Sequence, residues 1–224
     1  MKVTRKQLFK KLIPFFEEEM GYTYFKDSIS VAKGLFAKKI DNNIYISIGI
    51  NTSDFFCNTF TCDLYMAQSL DFASIYKGMA NDAYVRPGEL LTENELVMLR
   101  GNESKTTDIW WHSDDADSIE SFKKAVQLAG ARFENNFELR ERISSNEGAK
   151  HIHELTVKVK DLVKNGVPNI ETQFVPEKEK DGIPLIWFTA AEYVQKGEKH
   201  FNKHTVLSLA ADAYRQYVLD EVIK

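Results

Sequence analysis

Ile44, Ile46, Ile48 and Ile50 alternate with Tyr45, Ser47 and Gly49. Successive side chains of a strand point to opposite faces, so this period of two lines one face with isoleucine. A helix would scatter the same residues around its axis, which makes this run the firmest constraint on the fold. Asp41-Asn42-Asn43 ahead of it has hairpin-turn chemistry and joins it to GLFAKKI, residues 34–40. YTYFKD from Tyr22 and FFCNTFTCDLYMAQS from Phe55 are equally rich in aromatic and β-branched residues. The latter puts Phe56, Phe60, Cys62, Leu64 and Met66 on one face and Thr59, Thr61 and Asp63 on the other, with Asn58 interrupting. The expectation is an antiparallel meander of three to five strands, one face covered by helix and the other wetter.

Helical periods flank this block. Leu8, Leu12, Phe15, Phe16 and Met20 recur at steps of three and four, with Pro14 inside the run and Gly21 at its end. Thr92-Glu93-Asn94-Glu95 has the capping-box form ahead of a short helix through Leu96, Met98 and Leu99. Asp115 or Asp117 can cap a helix carrying the stripe Ile119, Phe122, Val126, Ala129, Phe133 and Phe137. Further helices are expected near 149–165 and 204–222, with a loop over 169–184 and a second capping-box form at Thr189-Ala190-Ala191-Glu192. The fold class read from these patterns is α+β: a meander packed by an N-terminal helix, followed by a mostly helical C-terminal half. A single domain over 1–224 is expected, with a possible subdivision into 1–112 and 113–224.

Composition excludes several classes. The 224 residues are 43% hydrophobic and 12% aromatic, which rules out intrinsic disorder. A net charge of −4 rules out nucleic-acid binding by bulk positive charge. The basic N-terminus lacks a signal peptide's continuous apolar core, since Lys10, Lys11 and Glu17 to Glu19 interrupt it. No stretch approaches the roughly 20 apolar residues of a membrane-spanning helix. A cytoplasmic protein without membrane contact is therefore expected. The small net charge hides a division. Residues 1–39 hold nine basic and four acidic side chains, residues 40–112 four and ten, and the remainder 16 and 19.

Residue types capable of chemistry are present without a catalytic signature. Cys57 and Cys62 have an odd spacing, which places them on opposite faces of a strand, unable to bridge. His200 and His204 are spaced i, i+4, as two metal ligands on one helical face can be, but no zinc-protease motif surrounds them. His151 and His153, two apart, diverge on a helix. His112-Ser113-Asp114-Asp115-Ala116-Asp117 is the densest polar cluster, read either as a metal loop or as an acidic helix N-terminus. The second reading is preferred, because the cluster lacks the glycine and terminal glutamate of a calcium loop. There is no nucleophile elbow, phosphate loop or dinucleotide fingerprint. Trp110-Trp111 is the conspicuous pair. Adjacent side chains on a strand diverge, so either one is an exposed contact anchor or one packs in the core and the other under a loop.

The order KQLFKKLIPFFEEEMGYTYFKD, IYISIGI, RPGELL, DIWW and DSIESFKKAV resembles an uncharacterised bacterial α+β domain family of unknown function, over about residues 5–140. The resemblance rests on Phe15 and Phe16, Gly21 and Tyr22, Ile46 to Gly49, Arg86 and Leu90, and Trp110 and Trp111. It implies an α+β fold and no catalytic residues. Members of this general kind are sometimes grouped with immunity or defence neighbourhoods.

The expected function is a non-enzymatic bacterial binding protein, immunity-like or adaptor, with no cofactor. Its acidic surface would meet a basic protein partner through Trp110, Trp111, Asp114, Asp115 and Asp117. The alternative is a metal-assisted hydrolase using His112, His200 and His204 with carboxylates. A third option, a subunit of a larger assembly, would use exposed aromatics as an oligomer interface.

Overall fold

The computed structural model describes residues 3–26, 34–53, 58–70, 84–100, 106–168, 179–180, 182–196, 198 and 203–222. The chain is α+β. Its main sheet has strands β1 (Thr23–Phe25), β2 (Leu35–Asp41), β3 (Ile44–Thr52), β4 (Thr59–Ala67) and β5 (Tyr84–Val85) in sequential antiparallel order. A sixth strand, β6 (Trp111–His112), also pairs with β4. β5 meets β4 at Leu64 and Tyr65 and β6 meets it at Thr59 and Phe60, so the two lie end to end along one edge. The β2–β3 turn is Asn42-Asn43, with Asn43 at φ 58°, the left-handed region that asparagine tolerates. Asn58 is left-handed too, at φ 63°, and β4 begins immediately after it. Phe55, Phe56 and Cys57 lie outside the described residues.

Helix α1 (Arg5–Pro14) opens on a capping box in which the Thr4 hydroxyl and the Gln7 side chain satisfy each other's backbone N–H. Pro14 has no N–H to give the helical ladder. The chain passes it by widening into a π-turn, Phe15–Glu19, and Met20 N–H donates to the Phe15 carbonyl at 3.2 Å. Gly21, at φ 70°, then turns the chain into β1.

The meander is covered on both faces. Ile46, Ile48, Ile50, Phe60, Cys62, Leu64 and Met66 pack one face against α1 and the later helical residues Phe122, Val126, Leu139 and Ile143. Phe16 stacks on Phe36 at 4.2 Å between ring centroids, and Phe122 meets Phe60 edge-on at 4.9 Å. The opposite face, expected to be wetter, is buried along all of β4. Leu35, Ala37, Tyr45, Tyr65, Ala67 and Leu70 form an apolar patch there that Leu219 from the C-terminal segment covers. The alternation holds, with the isoleucines of β3 on the core face. It could not show that a segment some 150 residues later returns to close the second face.

The remaining helices are α2 (Glu93–Arg100), α3 (Ala116–Glu134), α4 (Phe137–Ser144), α5 (Glu147–Asn165), α6 (Leu185–Lys196) and α7 (Lys203–Tyr217), the last followed by a π-turn over Val218–Val222. Two expectations fail here. The stripe through Phe133 and Phe137 is not continuous. Asn135 ends α3, and the Asn136 side chain accepts from Leu139 N–H to start α4, leaving Phe137 73% exposed. Thr189 does not begin a helix but lies inside α6, where its hydroxyl donates to the Leu185 carbonyl at 3.2 Å. Of the loop expected over 169–184, the described part forms a small hairpin, β7 (Glu179–Lys180) with β8 (Ile183–Pro184).

Helices α5, α6 and α7 pack on one another around Leu155, Val159, Trp187, Leu209 and Ala213, a core separate from that of the sheet. The seam between the two carries polar groups, buried around Asp212 and half-buried around Asp220. Asp212 accepts from Leu70 N–H and, at 2.9 Å, from Gln216; Arg215 donates to the Leu70 carbonyl at 2.8 Å. Asp220 takes Lys39 of β2 at 2.8 Å, Lys160 of α5 at 3.2 Å and the Tyr45 hydroxyl of β3 at 3.3 Å.

Candidate functional site

The most chemically dense cluster surrounds Asp63 on β4. Burial in the sheet pushes its carboxyl above the ordinary carboxylate range, although several donors pull the other way. Asn51 donates to Oδ2, as does Tyr65 at 3.3 Å; Tyr84 donates to Oδ1 at 3.1 Å, and Arg86 Nε lies 3.4 Å from it. Arg86 also pairs with Asp108 and sits 5.5 Å over the Trp110 ring. A neighbouring close approach fixes the Asp108 segment. A side-chain carbon on Gly88 would fall 2.1 Å from the Thr107 carbonyl oxygen, so only glycine lets the two backbones pass. The Asp63 acceptors are already occupied by protein donors. This cluster anchors β5 to β4 and holds Arg86 over Trp110.

The sequence-chosen residues divide. Trp111 is a core residue, 3% exposed and edge-on to Phe122 at 5.1 Å, so it offers no contact surface. Trp110 is half-buried beneath Arg86. Asp115 is the N-cap of α3 and accepts from Asp117 N–H at 3.0 Å. Asp114 accepts from the Asn58 amide at 2.7 Å, which ties the loop before α3 to the start of β4. Asp114, Asp115, Asp117 and His112 are all exposed. His200 lies outside the described residues, and of His204 only the backbone, in α7, is described. No three His, Cys, Asp or Glu side chains among the described residues are placed to hold a metal ion. None of the described helices is long and apolar enough to cross a membrane.

Among the described residues, the acids of the chain's middle do not form one continuous surface. Asp63 and Asp108 face Arg86, Glu95 pairs with Arg132 at 2.7 Å, and Glu89 accepts from Arg86 N–H at 3.1 Å. Asp54, Asp71, Asp82 and Glu103 lie outside the described residues. Exposed acid gathers instead at the N-terminus of α3, where it borders a hollow. Met98 and Leu99 of α2 and Asp117, Glu120, Ser121 and Lys124 of α3 line this hollow of about 300 Å³. Met98 is 67% exposed and Val97 53%. Leu96 and Leu99, three apart, turn inward and leave Val97 and Met98 outside, so the period of α2 carried this signal in the sequence. Lys123 pairs with Glu120 at 2.8 Å and Lys124 lines the hollow, so two lysines balance Asp117 and Glu120 there.

A larger groove of about 440 Å³ opens farther along α3. Tyr84, Val85, Leu90, Phe133 and Leu139 wall it, and Asn136, Glu138 and Arg142 stand at its α4 side.

No family model, no curated protein and no solved structure matches the chain. The resemblance to an uncharacterised bacterial family stands on the quoted residues alone.

Proposed function

We propose that this chain is a non-enzymatic binding protein of the adaptor or immunity-like kind, whose α2–α3 face receives a basic segment of a protein partner. The observation that carries the reading is Val97 and Met98, exposed beside a hollow whose rim includes Asp117 and Glu120. Methionine is flexible and polarizable, and suits surfaces that adapt to a partner's side chains. A lysine or arginine segment with one apolar anchor matches both features. The exposed Asp114, Asp115 and Asp117 beside the hollow act chiefly on the rate of encounter.

The test places a photo-crosslinking residue at position 98, irradiates in the host cell, and titrates the captured protein after purification. The expected partner segment is basic. Binding weakens at least tenfold for Met98→Asp and for the Asp114→Lys/Asp117→Lys variant, and wild-type association slows as salt rises. A captured protein that binds these variants as tightly as the wild type would overturn the reading.

A further inference from the structure

Asn165-Gly166 closes α5, and nowhere else in the sequence does glycine follow asparagine. The Asn165 side chain is exposed, and its amide meets no hydrogen-bond partner among the described residues. Gly166 stands at φ 95°, and nothing lies within 4 Å of the place a side-chain carbon would take. Its N–H donates to no described group. The residues that end α3 and α4 differ: Asn135 N–H donates to the Ala131 carbonyl at 3.2 Å and Ser145 N–H to the Glu141 carbonyl at 3.0 Å. Asparagines at other helix junctions are pinned. Asn136 accepts from Leu139 N–H at 3.0 Å and Asn146 from Ala149 N–H at 2.9 Å, and phenylalanine and glutamate follow them.

This arrangement permits an internal displacement. The Gly166 amide nitrogen, its proton taken by solvent, attacks the side-chain carbonyl carbon of Asn165. A bond from that nitrogen to Cγ forms, the bond from Cγ to Nδ2 breaks, and Nδ2 leaves as ammonia with a proton from water. Water then opens the cyclic imide at either carbonyl, giving aspartate or isoaspartate. Nothing is oxidised or reduced, and water is the only co-reactant. A helix interior holds the two groups apart, but the last residue of a helix is released whenever the end frays. Glycine, without a side chain, leaves the attacking nitrogen unhindered.

We propose that Asn165 is a self-modification site, which converts to aspartate and isoaspartate as the protein ages and so loosens the α5 end of the three-helix core. The consequence comes through the next anchored residue. Val167 is 3% exposed and packs in that core. Isoaspartate carries the main chain through its side-chain carbon, which lengthens the backbone between α5 and Val167. Either product also adds negative charge where the helix already ends in unpaired carbonyls. The site is remote in sequence from the α2–α3 face and does not rest on its role.

Peptide mapping by mass spectrometry of the full chain, held at mildly alkaline pH, tests this, with enzymatic methylation marking isoaspartate. Conversion at Asn165 is expected to run about tenfold faster than at the pinned Asn136 and Asn146. Asn165→Gln, whose longer side chain must close a larger ring, stays unconverted over the same time. In the aged wild type, hydrogen exchange quickens at Val167 and in the last turn of α5 while β2 to β4 hold. Asn165→Gln aged alike shows no such change, which separates conversion from general ageing. Conversion at Asn165 no faster than at Asn136 and Asn146, conversion that leaves exchange at Val167 unchanged, or equal loosening in aged Asn165→Gln would each overturn the proposal.

Discussion

Burying the Asp63 carboxylate obliges the chain to surround it with donors, and Asn51, Tyr65, Tyr84 and Arg86 meet that demand from three strands and the residue after the third. Removing one member of a buried ion pair is costlier than never building it, because the other charge is left behind. Asp63→Ala should cost about 3 kcal/mol in urea unfolding, moderated by the second contact of Arg86 with Asp108. At this scale the sequence was half legible. Alternation put Asp63 opposite the core face, but nothing in the spacing of residues 63 and 86 announces that they meet. The tryptophan pair divides as adjacent strand residues must, and only the folded chain shows that Trp111 goes inward while Trp110 lies beneath an arginine. Asp115, weighed as a metal or binding residue, is occupied by a helix end.

Among the elements, α2 is tied to the rest at both ends, by its first turn and by the Leu99 carbonyl, which accepts from the Ser121 hydroxyl at 2.8 Å. Glu95 accepts from Thr92 N–H at 2.8 Å and from Arg132 through both carboxylate oxygens at 2.7 Å, and Arg132 also reaches the Leu90 carbonyl. The Arg132 contact, with the Thr92 N–H behind it, holds the Glu95 carboxyl down to about 2. A carboxylate whose pKa is depressed on folding contributes stability that is full above the unfolded value and disappears as pH falls through the folded one. Urea midpoints of wild type and Glu95→Gln should therefore differ at pH 7 and converge as pH drops from about 4.5 toward 2. The capping box at Thr92 was legible because its chemistry is local. The same form at Thr189 misled, since a threonine hydroxyl inside a helix can bond back to the preceding turn. Phe137 misled for the converse reason: step-of-four spacing is indifferent to the two asparagines that end one helix and cap the next.

For the whole molecule, the sheet core and the three-helix core meet across a seam of polar groups, beside the apolar patch that Leu219 covers. Asp220 is central to it, and its contacts with Lys39 and Lys160 hold its carboxyl below the ordinary range despite burial. Asp220→Ala should cost about 2 kcal/mol, the scale of a charged hydrogen-bond cluster near water. Hydrogen exchange should then quicken roughly 30-fold in α5, α6 and α7 and much less in β2 to β4, since separate cores open separately. Equal acceleration everywhere would mean that the two cores open as one. Composition and periodicity gave the α+β class and the order of its elements. The seam escaped them because it joins residues from opposite ends of the chain, and no local pattern encodes such a pairing.

The Lys39–Asp220 contact spans 181 residues. A chain leaving the ribosome can complete the β2–β3–β4 meander long before that aspartate is synthesised. Until then, Lys39 and the Tyr45 hydroxyl must be satisfied by water, and the apolar patch that Leu219 later covers stays open. A product cut short before Leu219 and Asp220 would keep its sheet yet display that patch, the kind of surface that chaperones and proteases engage. The aspartate thus closes the sheet's second face only after the last helix of this fold has been synthesised.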